Sequence, residues 1–314
     1  MSTLAPINKR DTIKAWLAFA CVAFFWGTTF LAIKIGVKTY PPFLFSGMRQ
    51  MAAGIILAAP FLLKRSNWPD KAQLKKSLIA GTLMIVVGNG AVTWAEKYVS
   101  SGLAAILCSF TPFWIVGINF MSDKTEKVTK RVLLGMCIAL AGIIFIFFDN
   151  LKDLSNPAYV LGIVAVLVAN ASWGAGTVYT KKNKSSLSPL YAAGLQLFTA
   201  GVILNLISLC FETPYHLTFE TDGLLALLYL ITFGSVVAFG AYLYAIAALP
   251  TAIVGTYAYI NPVVAVMLGW LFLNESLNMF IGIGFLMVLT GVYLVNTLSQ
   301  KQRRVMVTPV EAEG

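Results

Sequence analysis

Two prolines lie deep inside apolar stretches of this 314-residue chain, in Thr111-Pro112 and Asn261-Pro262. Each removes a backbone N–H from the helix that such a stretch must form, so Pro112 should free the carbonyl of Cys108 and Pro262 that of Ala258. Two kinks with acceptors at mid-depth are expected there, and Thr111 and Asn261 would add side-chain hydrogen bonds. Such groups can hold a polar part of a small molecule; equally, a neighbouring Ser or Thr can repair a simple packing kink. Arg49 also falls within an apolar stretch, where a cation costs roughly 2.5–3.5 kcal/mol near a bilayer centre, so it must face protein or water. It could attract a carboxylate or form a gate with Glu96, and a permanent structural pairing accounts for it equally well. Asn89, flanked by Gly88 and Gly90, and Asn170, three residues before Trp173, can hydrogen-bond across helices, although packing is the commoner use of such amides. Trp26 and Trp173, with Trp94, Tyr244, Tyr257 and Tyr259, would make an amphipathic wall suited to apolar or zwitterionic molecules.

These residues need helices in hydrocarbon to hold them. The composition is 58% hydrophobic and 11% charged, with a mean hydropathy of +0.79, whereas a soluble domain carries about a quarter charged residues. A soluble fold and a disordered chain are both excluded. The 4 Cys lie in apolar stretches without metal-ligand spacing, which excludes a disulfide scaffold. A span needs about 20 apolar residues, and runs free of Asp, Glu, Lys and Arg predict helices over 14–35, 43–63, 76–95, 101–121, 131–148, 158–180, 189–211, 224–245, 252–273 and 279–298. The run Gly223–Asn274 is divided in two because a single helix of that length would reach roughly 78 Å, and Leu249-Pro250-Thr251 is the natural turn.

The net charge of +10 is spread by loop parity rather than clustered with exposed aromatics, which speaks for lipid headgroups and against nucleic acid. All but Lys34, Lys38, Arg49, Lys97 and Lys152 of the 23 Lys and Arg fall on one side, so the positive-inside rule predicts cytoplasmic termini. The halves also repeat each other. Trp26-Gly27 and Trp173-Gly174 lie 147 residues apart, as do Lys34 and Lys181, Pro42 and Pro189, Gly47 and Gly194, and Gly54 and Gly201. Gly90-Ala91 with Gly240-Ala241 and Pro112 with Pro262 continue the pattern at 150, and Gly135 and Gly142 pair with Gly284 and Gly291 at 149. Five helices per half, an odd number, make the second repeat enter the bilayer inverted, an arrangement many secondary transporters use for alternating access.

With Trp26-Gly27-Thr28-Thr29-Phe30 and Lys34, the repeated Trp173-Gly174, Arg49 after Pro41-Pro42, Thr111-Pro112 paired with Asn261-Pro262, and the run Trp94-Ala95-Glu96-Lys97-Tyr98, the chain resembles the EamA family of the drug/metabolite transporter superfamily over about residues 14–298. The resemblance implies a ten-helix carrier with cytoplasmic termini that exports amino acids, related metabolites or toxic compounds. Gln196 occupies the position matching Arg49, so any handling of anions belongs to the first half.

The resulting expectation is an all-α integral membrane protein with ten transmembrane helices in two inverted five-helix repeats. It divides into a cytoplasmic arm (1–13), a first repeat (14–148), a connecting loop (149–157), a second repeat (158–298) and a cytoplasmic tail (299–314). The expected activity is secondary export of small amphipathic metabolites across the inner membrane, with Trp26, Asn89, Thr111, Asn170, Trp173, Tyr257 and Asn261 binding substrate, Arg49 and Glu96 as gate, and Pro112 and Pro262 as hinges. The alternatives are proton-coupled efflux of drugs or toxic compounds, and a membrane sensor without flux. The absence of buried acids mid-span argues for facilitated export or exchange, and His216, the sole His, is expected in a loop. No enzyme signature, metal site or cofactor is expected, the partners are the small-molecule substrate and the lipid bilayer, and a monomer would suffice.

Overall fold

Helix starts follow the local chemistry of the chain. In the computed structural model, which describes residues 9–64, 68–122, 130–148, 155–183, 185–212, 220–249, 254 and 257–307, Asp70 opens a helix with a reciprocal capping box to Gln73. Asn156 and Ser188 cap two others, and Pro42, Pro157 and Pro189 take first-turn positions, where a missing N–H costs nothing. The elements are α1 (Lys9–Thr39), α2 (Pro42–Leu62), α3 (Lys71–Ala95), α4 (Ser101–Cys108), α5 (Thr111–Ser122), α6 (Lys130–Phe148), α7 (Pro157–Lys182), α8 (Pro189–Phe211), α9 (221–248), α10 (Tyr257–Leu273) and α11 (Met279–Val307). The described residues contain no strand.

Among the described residues six helices are long and apolar enough to cross a membrane, and shorter apolar helices cover Ser101–Ile115, Leu134–Ile146, Ile260–Leu273 and Met279–Gly291. Large apolar side chains stand exposed along outer faces, such as Leu161, Val164 and Val168 on α7 and Met267, Trp270 and Leu271 on α10. Only lipid makes that arrangement stable.

The boundaries differ from the sequence expectation where polar residues continue a helix past the hydrocarbon. Helix α1 begins at Lys9 rather than 14, α3 at Lys71 rather than 76, and α11 runs on to Val307 rather than stopping at 298. The proposed turn at Pro250-Thr251 lies outside the described residues. Two further differences matter for the site. The span expected over 101–121 is two helices, because Pro112 sits second in α5 and the chain turns at Ser109-Phe110 instead of kinking. In addition, α3 and α9 each contain an eight-residue π-helical segment, Thr82–Asn89 and Leu230–Val237, which no feature of the sequence announced.

Glycines set the closest crossings. On the α2–α8 seam Gly47 meets Asn205, Gly201 meets Met51, Gly54 meets Phe198 and Gly194 meets Ala58. The partner's number falls as that on α2 rises, so the two helices are antiparallel. The α6–α11 seam behaves likewise, with Gly142 against Gly284 and Gly291 against Gly135. Gly27 on α1 lies against Val264 of α10, and its counterpart Gly174 on α7 against Trp114 of α5. Apolar side chains fill the space between seams in two main clusters, one around Ala104, Leu107, Ile146 and Val166, the other around Met84, Ile85, Leu204 and Tyr242.

A Cβ on Gly54 would stand 2.3 Å from the backbone N of Phe198, where nothing can give way cheaply. Gly54→Leu should therefore force α2 from α8 and lower the melting temperature of the detergent-purified protein, by at least the ~1–3 kcal/mol typical of overpacking. Gly282→Ala, with nothing within 4 Å of the added carbon, should leave it unchanged or slightly raised.

Candidate functional site

Helices α1, α2, α3, α4, α5, α7, α8, α9 and α10 converge on a cavity of about 100 Å³. That is less than the ~150 Å³ that accommodates a benzene ring, so a metabolite can enter only if the helices move. Trp26, Asn89, Thr111, Asn170, Trp173, Tyr257 and Asn261 all lie on its wall, together with Arg49, Gln50 and Ser235.

A buried polar chain crosses one side. Arg49 Nε donates to Ser235 Oγ at 2.9 Å, and Ser235 Oγ donates to Gln50 Oε1 at 2.9 Å. Gln50 Nε2 then donates to Asn89 Oδ1 at 3.0 Å, which also accepts from Ser46 Oγ at 3.2 Å. Asn89 and Ser235 come from the two π-helical segments, so α2 ties one segment to the other.

The helix break at Ser109-Phe110 is repaired locally and across the cavity. Thr111 Oγ1 lies 2.8 Å from the Cys108 carbonyl, which it can satisfy, and 3.2 Å from Asn170 Oδ1. Asn170 Nδ2 donates to the Leu107 carbonyl at 2.7 Å. At the related position in α10, the Asn261 amide, oriented to satisfy its neighbours, donates to Ala23 O at 2.8 Å and Tyr257 O at 3.2 Å. The π segments are met in the same way. Trp26 Nε1 donates to Gly234 O at 3.1 Å, and Ser172 Oγ to Leu83 O at 2.7 Å.

Trp26 and Trp173 touch edge to face, with ring centroids 5.4 Å apart. Tyr242 and Tyr257 lie 4.8 and 5.1 Å from Trp26, and Phe239 lies 6.4 Å from Trp173. Along α7 the cavity ends at Trp173 and a vestibule of about 650 Å³ begins at Tyr179; along α9 it ends at Phe239 and the vestibule begins at Leu243. The aromatic cluster therefore stands between the two spaces. At the opposite end Lys34 Nζ donates to the backbone carbonyls of Glu96 and Val99, tying α1 to the last turn of α3.

Glu96 is fully buried, yet neither carboxylate oxygen has a hydrogen-bond partner, and it does not line the cavity. Arg49 and Glu96 thus do not bond to each other; Arg49 finds Ser235 because α9 packs on α2 at that depth. Trp94 packs against Tyr98 in a tilted pair with centroids 4.9 Å apart, and neither Trp94 nor Tyr244 is on the cavity wall. The side chain of Tyr259, and all of His216, lie outside the described residues. Sequence reasoning passed over Gln50, Ser235, Phe239 and Tyr242. Gln50 and Ser235 did carry a signal, being polar residues inside apolar runs, whereas two aromatics in an aromatic-rich helix carried none.

The fold and cavity define a multi-pass α-helical membrane protein with an internal site. The model of the EamA-like transporter family matches residues 13–148 and again residues 160–297. The chain belongs to the EamA-like transporter family. It is 34% identical over 271 residues to the uncharacterized inner membrane transporter YedA of Escherichia coli (strain K12), covering 86% of each chain. It is 26% identical to the uncharacterized transporter YoaV of Bacillus subtilis (strain 168), covering 93% of this chain and all of that one. Protein PecM of Dickeya dadantii is 27% identical, over 91% of this chain and 93% of its own. One solved crystal structure superimposes with a TM-score of 0.65 at 18% identity, over 93% of this chain and 99% of its own, and so shares the fold. Family and relatives point to a transporter rather than an enzyme, in the inner membrane.

Replacing Gln50 by Leu leaves Ser235 and Asn89 without their shared partner at a buried position. Thermal unfolding in detergent should show a loss of about 1–3 kcal/mol, and Gln50→Glu, which keeps the acceptor for Ser235, should lose less.

Proposed function

We propose that this protein is a secondary carrier of ten spans in two inverted five-helix repeats, exporting small amphipathic metabolites such as amino acids by alternating access. The observation that carries the reading is the small cavity at the meeting of the two halves, bounded by an aromatic cluster at one end and by the Lys34 tie at the other. Support for the inversion comes from the antiparallel seams and from related residues, Gly27 with Gly174 and Trp26 with Trp173, that serve related crossings. The distribution of Lys and Arg supports cytoplasmic termini, with the vestibule of Lys76 and Lys181 facing inward. Substrate would enter there, pass the aromatic cluster as it opens, and leave when the Lys34 end separates. Thr111, Asn170, Asn261, Asn89, Tyr257 and the two Trp would hold it, Arg49 and Glu96 would guard the outer side, and the helix break before Pro112 and Pro262 within α10 would act as hinges. A second reading, proton-coupled efflux, is favoured by Glu96, whose buried, unpartnered carboxylate is the group through which a proton gradient would act.

Counterflow of labelled amino acids into preloaded liposomes, with and without a pH gradient, tests the reading. Accumulation is the expected outcome, and Trp26→Ala should abolish it while leaving folded protein in the membrane. Failure of every class from amino acids to purines, sugars and cationic drugs would favour a sensor without flux. Orientation is checked separately in a cysteine-free background: an impermeant thiol reagent should label Lys97→Cys in intact cells, and Asn183→Cys only after permeabilisation.

A further inference from the structure

We infer that the transported molecule carries a carboxylate that accepts from Arg49, with an apolar or aromatic body lying against Trp26, Trp173 and Tyr257. The inference rests on the reading of this cavity as the transport site. Among the described residues, Arg49 Nη1 is a buried polar atom on the wall that lacks a partner. A guanidinium can only donate, so what it needs is an acceptor. Arg49 is 3% exposed and its Nε is already committed to Ser235, which fixes the guanidinium and leaves one edge for a ligand. A planar fork with free N–H groups suits a carboxylate, which takes two parallel bonds.

The rest of the wall does not offset that charge. Asn89 Oδ1 already accepts from Gln50 and Ser46, and Asn170 is engaged at both ends of its amide. Among the described residues no Asp or Glu lines the cavity. Glu96 is close enough to act on Arg49 through space but makes no bond to it. An ammonium group would meet the aromatic faces with some gain, yet it would share a cavity of about 100 Å³ with an uncompensated guanidinium.

The test uses three probes with one body, 3-phenylpropionate, 3-phenylpropan-1-ol and 3-phenylpropylamine, titrated calorimetrically at neutral pH against the purified full chain. The carboxylate should bind about tenfold or more tighter than the alcohol, the margin of a charge-assisted hydrogen bond, and the amine should bind weakest. In Arg49→Gln the carboxylate-to-alcohol ratio should fall to about one, while Arg49→Lys should keep part of it; if neither variant folds, the wild-type order decides. A wild-type ratio near one, an amine that binds best, a ratio that survives Arg49→Gln, or no binding of any probe would each overturn the inference. Counterflow of labelled 3-phenylpropionate into liposomes separates the two ideas. Carboxylate preference without counterflow upholds the anion site and sinks the carrier reading, and counterflow without carboxylate preference does the reverse.

Discussion

In hydrocarbon no water is at hand to satisfy a backbone group that leaves its helix, so every departure from the regular ladder must be matched by another protein group. This chain departs repeatedly around one point. The break between α4 and α5 is met by Asn170 at Leu107 O, and beside Pro262 the Asn261 amide donates to Tyr257 O and across to Ala23 O. The two π segments are met by Trp26 at Gly234 O and by Ser172 at Leu83 O. Three of those four donors, Asn170, Asn261 and Trp26, are also on the cavity wall. The repairs and the site are thus one set of contacts, and a movement that opens the cavity has to exchange them.

The seams impose the complementary constraint. At α2–α8 and α6–α11, glycine lets backbone approach backbone, and each seam pairs equivalent helices of the two halves head to tail. Such contacts cannot loosen by degrees, because an interior at crystal-like density has no slack to absorb small shifts. The softer region is the aromatic cluster, where Trp26, Trp173, Tyr242 and Tyr257 meet edge to face or tilted rather than through backbone. Rings can swing at the cost of a few contacts, whereas the seams must move as units.

Charge is allotted with the same economy. Glu275 accepts from the backbone N–H of Ser101 and Gly102 at the start of α4, and Glu212 from those of Phe43 and Leu44 at the start of α2. Both carboxylates neutralise exposed helix N-termini. Lys34 serves the opposite pole, the carbonyl end of α3. With these charges spent on helix ends, Arg49 is, among the described residues, the one Lys, Arg, Asp or Glu side chain on the cavity wall, so the polarity of the site follows from how the helix ends were capped.

Much of the architecture was readable from the chain because hydrocarbon is a uniform solvent: a span must be long, apolar and internally bonded, and length and charge reveal that without knowledge of neighbours. The Pro42–Pro189 and Gly54–Gly201 pairs were legible for the same local reason, since a helix start and a close crossing each require a particular residue type. Tertiary structure alone decided the rest. Nothing in TLMIVVGN or LITFGSVV marks a π turn, because its stability depends on a donor arriving from another helix. Arg49 was matched by depth to Glu96, but its partner is Ser235, set by how α9 lies on α2. Hydropathy records which groups leave water, while their partners are chosen by packing between helices far apart in the chain, and that choice has no local signature.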